Sequence, residues 1–147
     1  MSNQSLIETN KAAVMRFFDG THSGNLDVIV ETVAENIVTH GFPGGFNPAS
    51  HDEYRQFFVQ FAAGFSDMSY EVLAVVADER QVAVRFAIAV THSGPFAGVQ
   101  PTQRRVNFTG MVLYRMEAGR IAETWLHVDE LALLGQIGAV GPAALAA

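Results

Sequence analysis

Arg120-Ile-Ala-Glu-Thr-Trp-Leu-His-Val-Asp129 is the stretch from which the rest of the chain is read. Side chains alternate between the two faces of an extended strand, so Ile121, Glu123, Trp125, His127 and Asp129 are expected to share one face. That face gathers an aromatic ring, an imidazole and two carboxylates. Ala118-Gly119 precedes it as a turn signal and follows another apolar-rich segment, so the stretch reads as the second arm of a hairpin and not as a helix. A hairpin strand that ends in an acid can serve as a catalytic platform.

Working outward, residues 70–76, 81–91 and 106–115 are likewise rich in Val, Ile and aromatics, and with 120–129 they predict four strands. Asp78-Glu79 and Ala118-Gly119 make tight connections, residues 92–103 a longer one, and an antiparallel meander follows. Ahead of the sheet the period is helical. Ile7, Val14, Phe17 and Phe18 predict a helix ending near Gly20 or His22, and Leu26, Ile29, Val30 and Val33 a shorter second one. Residues 37–40 form a short strand candidate, and 41–48, with their glycines and prolines, a loop. Ser50-His-Asp-Glu53 has capping-box spacing and opens a third helix running to about Phe65. Helices first and sheet second predict an α+β fold, and strong curvature of the sheet would leave a cavity between its concave face and the helices.

The chain has 147 residues, of which 49% are hydrophobic, enough for one domain with a real core, 1–147. The last residues, 139–147, are low in complexity and are expected either to be a flexible tail or to lie across a neighbour. There is no cysteine, which excludes disulfides, thiolate nucleophiles and sulfur-ligated zinc and is compatible with a cytoplasmic setting. Met-Ser-Asn-Gln-Ser has no basic region leading into an apolar stretch, so no secretion signal is expected. No apolar run is long enough to span a bilayer, and a membrane partner is not expected. The net charge is −6 and Arg104-Arg105 is the only adjacent basic pair, so nucleic acid is not expected either.

The segment Thr91-His-Ser-Gly-Pro-Phe-Ala-Gly-Val-Gln-Pro-Thr102, then Arg105-Val-Asn-Phe-Thr-Gly110, Gly119-Arg-Ile-Ala-Glu-Thr-Trp125, Asp129 and Leu133-Leu-Gly-Gln-Ile-Gly138 resembles the SnoaL-like polyketide cyclase family. The front helices fit as well, so the resemblance covers nearly the whole chain. It implies the curved-sheet cone shared with nuclear transport factor and ketosteroid isomerase, a cone-shaped barrel with helices on its concave face. It also implies intramolecular aldol ring closure, without a cofactor, on a hydrophobic carbonyl substrate. The family's acid-base aspartate lies after the tryptophan of the last strand, which carries over to Asp129. The chain departs from the family pattern at Gln103, where glycine is common, and at Gly135, where a longer polar residue is common.

The chemistry asked of Asp129 is removal of a proton from a carbon between two carbonyls, then its return to the new alkoxide. Enclosure among apolar side chains would raise the pKa of Asp129 toward neutrality and make it a better base, whereas a protonated His127 beside it would lower it. The Cα atoms of His127 and Asp129 lie roughly 7 Å apart on a regular strand, so His127 is a candidate hydrogen-bond donor to developing negative charge. Read without the family, Asp129 is better suited to cap a helix over 130–136, and the resemblance is what turns the reading toward an acid-base role. His127 can equally be a structural histidine, and Trp125 a packing residue with an indole N–H free for a ligand.

Candidate substrate-binding residues are Phe17, Phe58 and Phe61 on helical faces, Phe42 and Phe46 in a possible lid at 41–48, and Phe86 on a strand. His40 and His92, at strand ends, are candidates with His127 for the cavity mouth, His92 being better read as a side chain that holds its loop through backbone hydrogen bonds, and Trp125 is a further substrate-binding candidate. His127-x-Asp129 plus a distant histidine has the ligand types of an iron triad, but such sets recur by chance, and neither a metal nor another cofactor is expected. Three functions stay open: a cofactor-independent cyclase or isomerase, a small-molecule-binding domain without chemistry, and a hydrolase or dehydratase using an Asp-Arg-Asp cluster, as in limonene epoxide hydrolase. Apolar positions on both faces of the strands predict a homodimer or larger homo-oligomer.

Overall fold

The computed structural model describes residues 2–140, so most of the tail expected at 139–147 lies outside the described residues. Helix α1 (Asn3–His22) starts where the Ser2 hydroxyl accepts the Ser5 N–H, and it buries Val14, Phe17 and Phe18 along one face. The short helix α2 (Val28–Thr32) turns directly into strand β1 (Val33–His40). A single 3-10 turn at Pro43–Gly45 leads to α3 (His51–Gly64), which opens on the expected cap: Ser50 Oγ accepts the Glu53 N–H at 3.1 Å. Glu53 Oε1 reaches back to the Ala49 N–H at 2.9 Å, one residue before the partner of a regular capping box.

Strands β2 (Phe65–Ala77), β3 (Gln81–His92), β4 (Arg105–Glu117) and β5 (Arg120–Val128) follow as antiparallel neighbours, and α4 (Glu130–Gln136) closes the described fold. The sheet order is β1-β5-β4-β3-β2, with β1 parallel to β5, so the sheet is mixed and not wholly antiparallel. It is also unclosed: β1 and β2 are both edges, and the cone is a curved sheet roofed by helices and not a complete barrel. At that edge α3 and three strands stand between β1 and its partner β5 in the chain.

Burial alternates along the central strands as a one-sided sheet requires. Val82, Val84, Phe86, Ile88 and Val90 of β3 are buried against the helices, as are Val106, Phe108, Val112 and Tyr114 of β4. Gly110 interrupts that inward row. It lies opposite Phe86, and a Cβ there would come within 2.5 Å of Phe86 Cζ, so the missing side chain makes room for the ring. Helix α4 is held to the sheet end by Gln136, whose amide accepts the Asn107 N–H at 2.9 Å and donates to the Asn107 carbonyl at 2.7 Å.

Candidate functional site

The helices and the concave sheet face enclose a cavity of about 80 Å³. Helix α3 supplies Tyr54, Phe57, Phe58 and Phe61, spaced so that all four fall on one side of the helix. Helix α1 supplies Phe17, Phe18 and His22, the sheet supplies Phe86, Ile88, Phe108, Val112, Leu126 and Val128 among others, and Leu133 of α4 caps one end. Phe42 and Pro43 of the 41–48 segment also face it. Rings meet mostly edge to face, Phe17 on Tyr54 at 5.2 Å and Phe42 on Phe57 at 4.7 Å, the arrangement the ring quadrupole favours.

Three polar side chains interrupt this wall: His22, Tyr54 and Tyr114. Burial lowers the pKa of His22 to about 4, with the Phe18 carbonyl and the nearby Asp19 charge opposing the shift without cancelling it. Burial also holds both phenols well above their ordinary range, and at Tyr114 the neighbouring Tyr54 adds to the effect. The Thr124 hydroxyl lies close enough to temper the Tyr54 shift but outside hydrogen-bond geometry, and it is buried without a partner. At neutral pH these three groups are therefore uncharged, and no carboxylate stands among the described lining residues.

Strand β5 is where the sequence expectation and the structure part. Directly paired residues of neighbouring strands share a face, and Glu123, Trp125 and His127 are paired with Arg115, Leu113 and Met111. These are outward positions of β4; Met111 is 51% exposed. Thr124 and Leu126, paired with Tyr114 and Val112, are on the concave side instead, and Leu126 lines the cavity. Glu123, Trp125 and His127 thus do share a face, but it is the convex one. Ile121 leaves the set, because a bulge between Arg115 and Met116 lets Ile121 and Ala122 both turn inward.

Asp129 is exposed and is the N-cap of α4: its Oδ1 accepts the Ala132 N–H at 3.0 Å. It is not enclosed among apolar side chains, and it lies with His127, Trp125 and Arg85 along a shallow outer groove of about 730 Å³. His40 is on the outer face too, stacked on Trp125 at 5.4 Å, with Nε2 at 2.7 Å from Glu123 Oε2. His40 is the main cause that lowers the pKa of Glu123, ahead of Arg115, whose Nε donates to Glu123 Oε1 at 3.1 Å. His92 is fully buried on the inner side at the far end of β3, where Nδ1 accepts the Thr102 N–H at 3.2 Å, so it supports its loop and does not reach a cavity mouth. Phe46 is 58% exposed and does not line the cavity. Hence Phe17, Phe42, Phe58, Phe61 and Phe86 come together, while His40, Trp125, His127 and Asp129 lie across the sheet from them, and Phe46 and His92 belong to neither group. Among the described residues no cluster of histidines and carboxylates has metal-binding geometry, and no helix is long and apolar enough to cross a membrane.

The chain is similar in structure to IdmH from Streptomyces antibioticus, a proposed polyketide cyclase, at 28% identity and a TM-score of 0.75 over 88% of this chain and 98% of that one. It is also similar to AclR from Streptomyces galilaeus, a proposed hydroxylase, at 25% identity and a TM-score of 0.79 over 92% and 99%. A proposed SnoaL-like polyketide cyclase from Jannaschia sp. CCS1 shares the fold at 23% identity, with a TM-score of 0.82 over 96% and 99%. No curated protein matches the chain. A family model described as SnoaL-like polyketide cyclase matches residues 11–137. The chain belongs to the SnoaL-like polyketide cyclase family.

Within this SnoaL-like frame, sequence reading missed several wall residues, among them His22, Tyr114, Leu126 and Val128. For β5 the signal was present: the alternate set Thr124, Leu126 and Val128 is the more apolar one, and an apolar set belongs on the packed face. For His22 it was weaker, a histidine four residues after Phe18 at a helix end, which spacing alone reads as a terminus.

Proposed function

We propose that the protein binds a hydrophobic, ring-bearing carbonyl compound of polyketide type inside the cone. The observation that carries this reading is the cavity wall, aromatic and uncharged at neutral pH and interrupted only by His22, Tyr54 and Tyr114. Such a wall favours flat apolar molecules, since it offers ring contacts and no counter-charge for an ion. Its volume of about 80 Å³ is roughly half that of an engineered cavity that takes up benzene (~150 Å³). A ligand of one ring or more therefore enters with an outward shift of the segment carrying Phe42 and Pro43. Titration with a hydroxynaphthoquinone, followed by methyl NMR, is expected to move Ile88, Leu126 and Leu133. Shifts confined to Met111 and the ring signals of Trp125 would overturn the reading.

A second reading keeps the aldol ring closure, with Asp129 as acid and base and His127 as hydrogen-bond donor. Family membership and the proposed activity of IdmH favour it. Asp129→Asn separates the two, because asparagine also caps a helix and leaves the fold intact. Cyclisation of β-dicarbonyl esters by the wild type that disappears in this variant would support Asp129 as the base; equal behaviour of both proteins supports the cavity alone. We also infer that the convex sheet face meets a second copy of the chain.

A further inference from the structure

Among the described lining residues of the cavity, one side chain has a free polar atom that can only accept. His22 Nδ1 lies 2.8 Å from the Phe18 carbonyl oxygen, and since a carbonyl cannot donate, the proton of this contact is on Nδ1. Thr21 Oγ1, 3.1 Å away, uses its own proton on the Phe17 carbonyl at 2.8 Å, so it too presents only an oxygen to Nδ1. A neutral imidazole protonated at Nδ1 carries a lone pair on Nε2. Nε2 makes no hydrogen bond among the described residues, and it lies on the far edge of the ring from the helix backbone. The ring itself is clamped: it stacks on Phe18 at 4.0 Å and 15°, with Phe58 at 5.8 Å and Phe86 at 6.3 Å around it, and all three belong to the cavity wall.

We infer that His22 is the specificity-determining residue of the cavity, its Nε2 accepting a hydrogen bond from a hydroxyl on the ligand and so selecting phenolic or enolic compounds over plain aromatic ones. The inference rests on the cavity reading above and deepens it by naming the ligand's polar group. A hydroxyl that leaves water for an apolar cavity loses its hydrogen bonds, and a fixed acceptor restores one of them. Carbonyl groups gain nothing at Nε2, whereas the Tyr54 and Tyr114 hydroxyls can donate to them. The titratable groups facing His22 are few. They are Asp19 on the same helix, Tyr70 from β2, whose ring lies 5.5 Å from the imidazole and whose hydroxyl donates to Asp19 at 3.0 Å, and the buried phenols Tyr54 and Tyr114 that share the cavity. With the ring neutral well below pH 6, the preference for a hydroxyl is expected to hold unchanged between about pH 6 and 8.

The test uses 4-fluorophenol and 4-fluorotoluene, probes of equal size, in fluorine NMR titrations of the wild type and His22→Phe. The expected result is that the ratio of phenol to toluene affinity falls about tenfold in the variant, in line with the loss of one hydrogen bond, while toluene binding is kept. An unchanged ratio overturns the role of His22 and leaves the cavity reading standing; failure of both probes to bind the wild type overturns both. A measurement on the wild type alone covers the case of a misfolded variant. The nitrogen-15 signal of His22 Nε2 is expected in the range of an unprotonated ring nitrogen and to move when the phenol is added but not the toluene. A protonated Nε2, or equal response to both probes, would also sink the inference.

Discussion

A carboxylate at a helix end in water and an imidazole sunk in an aromatic wall face opposite electrostatic conditions, and each has a measurable consequence. Asp129 gives its oxygen to the first turn of α4, where negative charge and a free N–H meet favourably. Asp129→Ala is expected to cost about 1 kcal/mol and Asp129→Asn only a few tenths, read as urea midpoints. His22 acts through pH. Its pKa is about 4 in the folded protein against 6.5 for the free side chain, so between those values the unfolded chain binds a proton that the folded chain refuses. Stability is therefore full above about pH 6.5 and falls as pH drops toward 4, by on the order of 3 kcal/mol in all. His22→Phe should flatten that slope, and an unchanged slope would mean that the ring is not held neutral. Neither role is visible in residue type alone: Asp129 was legible as a cap from its place before residues 130–136, whereas the state of His22 depends on Phe58 and Phe86, far away in the chain.

Single elements show how far a sequence pattern reaches. Period-two alternation correctly groups Glu123, Trp125 and His127, but a period fixes which side chains share a face and not which face the helices cover. That choice is made by packing: Val112 and Tyr114 on the neighbouring strand are buried, so their partners Leu126 and Thr124 go inward with them. Adjacent substitutions test the assignment. Leu126→Asp would put an unpaired carboxylate in the apolar wall and is expected to destabilise by at least about 3 kcal/mol at pH 7. His127→Asp, one residue on and on the exposed face, should stay within about 0.5 kcal/mol; similar losses at the two positions would mean that the register is wrong. The 41–48 connection is legible as a loop but not in its fit. Gly41 has φ +81° and packs so closely on the Leu126 carbonyl that no Cβ has room. Gly41→Ala therefore combines left-handed strain with a backbone clash, and a loss of more than about 2 kcal/mol is expected in thermal or urea unfolding. The helices and hairpins were legible because their signals are local, caps at Ser50 and turns at Ala118-Gly119. The parallel pairing of β1 with β5 joins segments more than 80 residues apart, and no local pattern announces it.

For the molecule as a whole, the two faces of one sheet set different tasks. The concave face is satisfied by helices, but the convex face presents Met111 at 51% exposure beside Leu113, Trp125 and the alanines of β3, with Arg85, Arg115, Glu123 and His127 among them. Charged and apolar side chains alternate on this face, with Arg85 and His127 as the cross-strand neighbours of Met111, and such a mixed, partly apolar sheet face can meet its own copy across a two-fold axis. In such a pairing every residue near the axis counts twice. Met111→Glu would place two carboxylates close together at the centre, so a dimer that persists at micromolar concentration in the wild type is expected to become a monomer in the variant, read by sedimentation. The cavity is lined from the concave side of the sheet, by Phe42 and Pro43 among others, so the monomeric variant should keep the ligand affinity of the wild type. Monomeric wild type would remove the dimer and leave the cavity untouched, whereas loss of binding in Met111→Glu would mean that the two faces are coupled through Val112 and Gly110, the neighbours of Met111 that face inward.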